Sequence, residues 1–175
     1  MAKRTAKPKP APAPHPPRRF LVGIGSSAGG LEALTALFSN LPTDLNIPYV
    51  VAQHLSPTYR SMLAQLIGRE TAMTVREVEH GETLVGNTVY IAPANHNVVV
   101  RKGKLDLLPP DPGVSVKPSV NLFFHSLAEE YKEDAVAVVL SGTGSDGSSG
   151  VRAIKAEGGF AFAQAPNTAK YDGMP

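Results

Sequence analysis

Apolar and polar positions along the 175-residue chain alternate between short β-type runs and longer helical spacings. Residues 20–25, FLVGIG, are an apolar run that enters the small-residue turn SSAGG, after which Leu31, Leu34, Phe38 and Leu41 recur at the spacing of a helix with one buried face. Pro42 stops that helix. Residues 48–54, PYVVAQH, predict a second strand ending in a polar pair, and residues 58–69 a second helix with Met62, Leu63, Leu66 and Ile67 inward. A short strand is expected over 73–78. Residues 88–93 (TVYIAP) and 97–108 (NVVVRKGKLDLL) change character and read as short β segments around Asn95-His96 and Lys102-Gly103-Lys104, a hairpin-like signal. A proline-rich loop follows at 109–118.

Ser119 is then a candidate N-cap for a helix over 119–130. Residues 135–140 are nearly all apolar, as expected of a strand covered on both faces, and break into SGTGSDGSSG at 141–150. A helix over 151–157 and a strand over 160–164 complete the pattern. The alternation predicts an α/β fold, a doubly wound, mostly parallel sheet with an antiparallel hairpin excursion in a Rossmann-like three-layer arrangement.

Composition narrows the class without changing that picture. A hydrophobic content of 42% with 18% charged residues describes one globular domain over 20–175. Cysteine is absent, which excludes disulfides and thiolate chemistry and is compatible with a reducing cytoplasm. No apolar run reaches bilayer-spanning length, so no membrane insertion is expected. The net charge of +2 conceals an asymmetry: residues 1–19 hold six basic residues and no acidic one, and the remainder carries 11 basic against 15 acidic residues, a net of −4. The basic, proline-rich stretch 1–19 reads as a solvated tail, and no nucleic-acid partner is inferred from it.

Two motifs share the first turn. Gly25-Ser26-Ser27-Ala28-Gly29 fits G-x-S-x-G, which presents a serine nucleophile on a tight turn, and Gly23-Ile24-Gly25-Ser26-Ser27-Ala28 fits the G-x-G-x-x-A dinucleotide fingerprint. A dinucleotide site needs an acidic residue at the end of the second strand, and that strand ends in Gln53-His54. Reactive groups in parallel α/β sheets gather at the carboxyl ends of strands. Three such ends carry Ser27, His54 and Asp146, a nucleophile, a general base and an orienting carboxylate. The order Ser, His, Asp differs from that of α/β-hydrolases. Ser26 competes with Ser27 for the nucleophile's place, His96 is a second candidate base, and Asp146 has the alternative role of capping the helix after it. His80, His125 and Asp172 read as structural, and Ser141 and Ser149 as ordinary loop serines. The histidines are scattered without metal-ligand spacing, so neither a metal nor a cofactor is expected.

IGSSAGG with Ser27, AQHLSP with His54, YIAP at 90–93, PSVNLFFHSLA at 118–128, LSGTGSDG with Asp146 and the final Asp-Gly-Met-Pro together resemble the catalytic domain of chemotaxis protein-glutamate methylesterases, the CheB-type family. The resemblance covers residues 20–175, and HLSP and LSGTGSDG are most similar to members fused to a methyltransferase domain. It implies a cytoplasmic serine hydrolase that removes methyl esters from glutamate side chains of chemoreceptors, with deamidation of glutamines in some members. Ser27, His54 and Asp146 match its catalytic triad, and the backbone N–H groups of Ala28 and Thr143 match its oxyanion hole. Ala28 stands where members commonly have threonine, and Asn121 where they commonly have aspartate. Those two departures motivate a second reading, a catalytically silent interaction module of the same fold.

The implied partners are methylated receptor helices and a separate receiver domain or methyltransferase. Family members usually carry a receiver domain before the esterase and continue beyond the Gly-Met-Pro. The tail is too short and proline-rich to fold into a cover, so the domain is expected to be constitutively open, with restraint supplied by a partner. Deleting residues 1–19 is therefore expected to leave esterase turnover unchanged at low and moderate salt. A large, salt-sensitive rise would identify the tail as an autoinhibitor.

Overall fold

The structure, a computed structural model, describes residues 19–54, 62–109 and 118–175. Its main sheet has six parallel strands: β1 (Leu21–Ser26), β2 (Tyr49–Gln53), β3 (Thr74–Glu77), β5 (Thr88–Ile91), β8 (Ala135–Val139) and β9 (Phe160–Ala163). They lie in the order β3-β5-β2-β1-β8-β9. The first strand is central, so the polar turn that follows it emerges in the middle of the carboxyl edge. A separate three-stranded antiparallel sheet, β4-β7-β6, is formed by β4 (Glu82–Thr83), β6 (Asn97–Arg101) and β7 (Lys104–Leu108).

The parallel sheet, the helices and the antiparallel β6–β7 hairpin agree with the pattern read from the sequence. Residues 88–91 do not belong to the antiparallel excursion. They pair in parallel with β2 and β3, because Val89 and Ile91 point to one apolar layer and Tyr90 to the other, as a buried central strand requires.

Two cores flank the main sheet. On one side Ile24, Val51, Val89 and Ile91 pack against Leu34 and Phe38 of α1 (Gly30–Phe38) and Leu63 and Ile67 of α2 (Leu63–Ile67). On the other, Val50, Ala52, Tyr90 and Ala137 meet Phe123, Phe124 and Leu127 of α3 (Val120–Tyr131), Ile154 of α4 (Ser148–Ala156), and Val98, Val100 and Leu105 of the small sheet. Helices on both faces make the fold doubly wound. Two inward expectations fail at helix starts: Leu31 is 38% exposed and Met62, which precedes α2, is 56% exposed. The expected start of the second helix falls partly at 58–61, outside the described residues, as do residues 1–18 and most of the loop at 109–118. The helix expected from Val151 starts three residues earlier, at Ser148. No described helix is long and apolar enough to cross a membrane.

The seat of α3 on β1 depends on two missing side chains. A Cβ on Gly23 would lie 2.7 Å from Phe123 and 2.8 Å from Leu127, and one on Gly25 would lie 2.4 Å from Val120. The glycines that match a dinucleotide fingerprint thus bring the first turn of α3 against the central strand. Gly25→Ala is expected to lower the unfolding free energy by about 1–3 kcal/mol, the usual cost of overpacking a tight core. An unchanged denaturation midpoint would show that α3 yields at no cost.

Candidate active site

Each site residue leaves the carboxyl edge of the main sheet. Ser27 follows β1 in a turn completed by Gly29, whose φ of 73° is left-handed backbone that glycine adopts without strain. The Ser27 N–H donates to the Ser141 C=O at 3.0 Å, and the Gly30 N–H donates to the Ser27 C=O at 2.9 Å. Ser26 is fully buried, with its Oγ 3.5 Å from Gln53 Oε1, whereas Ser27 is half-buried and lines an open cavity. That difference follows from strand alternation: the last residue of β1 points into the layer, and the next one is free of it.

His54 directly follows β2, and its N–H donates to the Ser26 C=O at 3.0 Å, which extends the β1–β2 ladder by one bond. Its Nε2 lies 2.8 Å from Asp146 Oδ2. Ser27, His54 and Asp146 line one cavity of about 500 Å³, together with Asn121, Thr143, Gly144 and Ser145. Ala28 sits in the turn beside it, with its C=O accepting from Ser141 Oγ at 2.9 Å. Among the described residues neither the Ala28 N–H nor the Thr143 N–H meets an acceptor.

Asp146 does not cap the helix after it. That helix, α4, has Gly147 as its N-cap and no side-chain cap bond. The Asp146 carboxylate instead receives the N–H groups of Val120 (2.8 Å) and Asn121 (2.9 Å), the first turn of α3, with Ser119 Oγ at 3.4 Å. Asn121 returns the service, since its Oδ1 accepts the Gly150 N–H of α4 at 3.0 Å. Ser119 fulfils its expected capping role by accepting from the Leu122 N–H, and its own N–H donates to the buried Asn97 Oδ1 at 2.8 Å. Burial pushes the Asp146 carboxyl up, but the hydrogen bond from His54, the two backbone N–H donors and the nearby imidazole outweigh it and hold the pKa below the ordinary carboxylate value.

The other titratable candidates lie elsewhere. His96 Nδ1 is bonded to its own turn at Ala94, His80 Nδ1 accepts from Leu107 N–H, and His125 Nε2 meets Ser149 Oγ on an exposed face. Asp172 forms a single parallel bridge with Gly142, one residue before Thr143. Sequence reasoning missed Asn97 and Ser141. Ser141 is no ordinary loop serine: it is 1% exposed and bonded on both sides. A serine that directly ends an apolar β-run was the available signal.

Residues 22–175 match the model of the CheB methylesterase family. The chain is 39% identical over 160 residues to the protein-glutamate methylesterase/protein-glutamine glutaminase of Desulfitobacterium hafniense, covering 89% of this chain and 41% of that protein. The protein of the same name from Geobacillus kaustophilus is 38% identical, over 91% of this chain and 47% of its own length. The chain thus spans less than half the length of either relative. The crystal structure of the Thermotoga maritima CheB methylesterase catalytic domain superposes with a TM-score of 0.83 at 36% identity, covering 89% of this chain and 85% of that one. The chain belongs to the CheB methylesterase family.

Proposed function

We propose that this chain is a cytoplasmic serine hydrolase that removes methyl esters from glutamate side chains of chemoreceptors. The observation that carries the proposal is the His54–Asp146 hydrogen bond inside the cavity that Ser27 lines. With Nε2 committed to Asp146, Nδ1 is the ring nitrogen left to take the Ser27 proton. Ser27 Oγ attacks the ester carbonyl carbon as His54 removes its proton. The oxyanion that forms is met by the Ala28 and Thr143 N–H groups, which have no other acceptor among the described residues. The C–O bond to methanol then breaks as His54 protonates the leaving oxygen. Water, activated by the same imidazole, hydrolyses the acyl-enzyme and releases the glutamate carboxylate. A glutamine amide differs only in its leaving group, so deamidation follows the same route with ammonia leaving. The relatives' printed names, which pair methylesterase with glutaminase, support both reactions. The open cavity suits a side chain presented by a receptor helix, and neither the Ala28 nor the Asn121 departure removes a backbone donor or a member of the triad.

Ser27→Ala is expected to abolish fluorophosphonate labelling and p-nitrophenyl ester hydrolysis, and to stop methanol release from methylated receptor membranes. His54→Ala is expected to lower turnover by about 10⁴-fold or more, and the double variant to cost little beyond that, because nucleophile and base act as a unit. Effects that multiply in the double variant would separate the two residues.

Asp146 supplies a pH test that is independent of turnover. Its folded pKa lies below the unfolded value, so its contribution to stability is complete above the ordinary carboxylate pKa of about 3.9 and fades as pH falls through the folded value. The stability gap between the wild type and Asp146→Asn is therefore expected to narrow as pH falls below about 4. Thermal melts between about pH 5 and pH 2 check it, and a gap that widens as pH falls below about 4 would contradict an Asp146 pKa held below its unfolded value.

A further inference from the structure

The segment 171–174 runs beside the loop that follows β8 and is tied to it by backbone bonds. The Gly142 N–H donates to the Tyr171 C=O at 3.0 Å, and the Met174 N–H donates to the Gly142 C=O at 3.0 Å. The Met174 side chain is buried in the core on the α3 side of the sheet. Gly142 is wedged between it and the nucleophile: a Cβ there would lie 2.2 Å from Met174 Sδ and 2.9 Å from Ser27 Cβ.

This wedge fixes the direction of one amide. The Gly142–Thr143 peptide is planar and trans, so its C=O and N–H point opposite ways. With the C=O held by Met174, the Thr143 N–H is turned away from the segment, and Thr143 lines the cavity with Ser27. The same rule applies across the cavity. The Ser27 C=O is held by the Gly30 N–H, so the Ala28 N–H is turned away from α1.

Ser141 joins the two halves. Its C=O accepts the Ser27 N–H at 3.0 Å, and its buried Oγ donates to the Ala28 C=O at 2.9 Å and accepts the Tyr171 N–H at 3.0 Å.

We propose that residues 171–174 are a positioning clamp for the oxyanion donors, anchored by the Met174 side chain and fastened to the nucleophile turn by the Ser141 hydroxyl. The proposal rests on the esterase reading of the site. Neither residue touches substrate, and both act by aiming the Thr143 and Ala28 amides. Their loss should therefore weaken binding of the transition state and leave ground-state binding alone. A segment that merely closed the core would lower the melting temperature and the folded fraction without changing turnover per folded site.

The experiment uses the full 175-residue chain, p-nitrophenyl acetate as substrate and fluorophosphonate labelling to count competent sites. Met174→Ala and Ser141→Ala are expected to lower kcat per labelled site by roughly 10- to 100-fold, the scale of a misaligned catalytic group. KM should stay within about threefold, since only transition-state contacts are lost. Affinity for phenyl trifluoromethyl ketone, whose serine adduct carries the oxyanion, should fall in parallel with kcat. Met174→Leu keeps the buried volume and the N–H and should restore near-native turnover.

If Met174→Ala does not fold, Ser141→Ala decides alone. Unchanged kcat per labelled site in the folded variants, or a rise in KM that accounts for the whole loss, overturns the clamp. Ester hydrolysis that survives Ser27→Ala would sink the underlying reading of the site instead, so the two failures are distinguishable.

Discussion

The structure turns on where one carboxylate sits. The first N–H groups of a helix have no partner within it, and a helix N-terminus favours negative charge. Asp146 satisfies two of those groups on α3 from a loop 25 and 26 residues further along the chain, and with the same carboxylate it meets His54. A displacement of α3 would therefore move the imidazole's partner. The seat of α3 is set in turn by the two glycines of β1, so the packing of the central strand and the geometry of the site are one constraint.

Three helices, α1, α3 and α4, present their N-termini on the cavity side. Gly30 opens α1 three residues after Ser27, Val120 donates to Asp146, and Ser148 opens α4 two residues after it. Their partial positive charges favour an ionised Asp146 and, on the esterase reading, the developing oxyanion. Asn121 links two of these helices, since its backbone N–H serves Asp146 and its side chain serves Gly150. Its amide Oδ1 accepts the Gly150 N–H without adding a charge beside Asp146.

The strands and the residues at their ends were legible in the sequence because periodicity and strand alternation act locally. Ser27, His54 and Asp146 each follow an apolar run, and the structure brings all three to one cavity. Ser26 is separated from Ser27 by the same alternation that made both visible. What escaped was set by distance. Nothing at position 146 announces that its carboxylate will cap α3 in place of α4, since both helices start with unsatisfied N–H groups and only the tertiary arrangement chooses. Residues 88–91 read as part of a hairpin because their neighbours do, while their parallel pairing depends on β2 and β3 on either side. Leu31 and Met62 fit a helical spacing, but each lies at a helix start that leaves it facing solvent. The place of Ser141 at the end of an apolar run was a signal, but its partners were not legible, because its hydroxyl bonds backbone atoms of Ala28 and Tyr171, which no residue type encodes.

The cavity draws on chain positions 27, 54, 121 and 143–146, and the segment bonded to its loop on 171–174, so no contiguous piece of the sequence contains it. Its contacts are long-range and must wait for loop closure and for β1 to be enclosed between β2 and β8, the slow steps in folding a parallel sheet. A chain still emerging from the ribosome or half collapsed holds the serine, the histidine and the aspartate apart. A measurement that reads the arrangement of the site thus reports that β1 is paired with both β2 and β8.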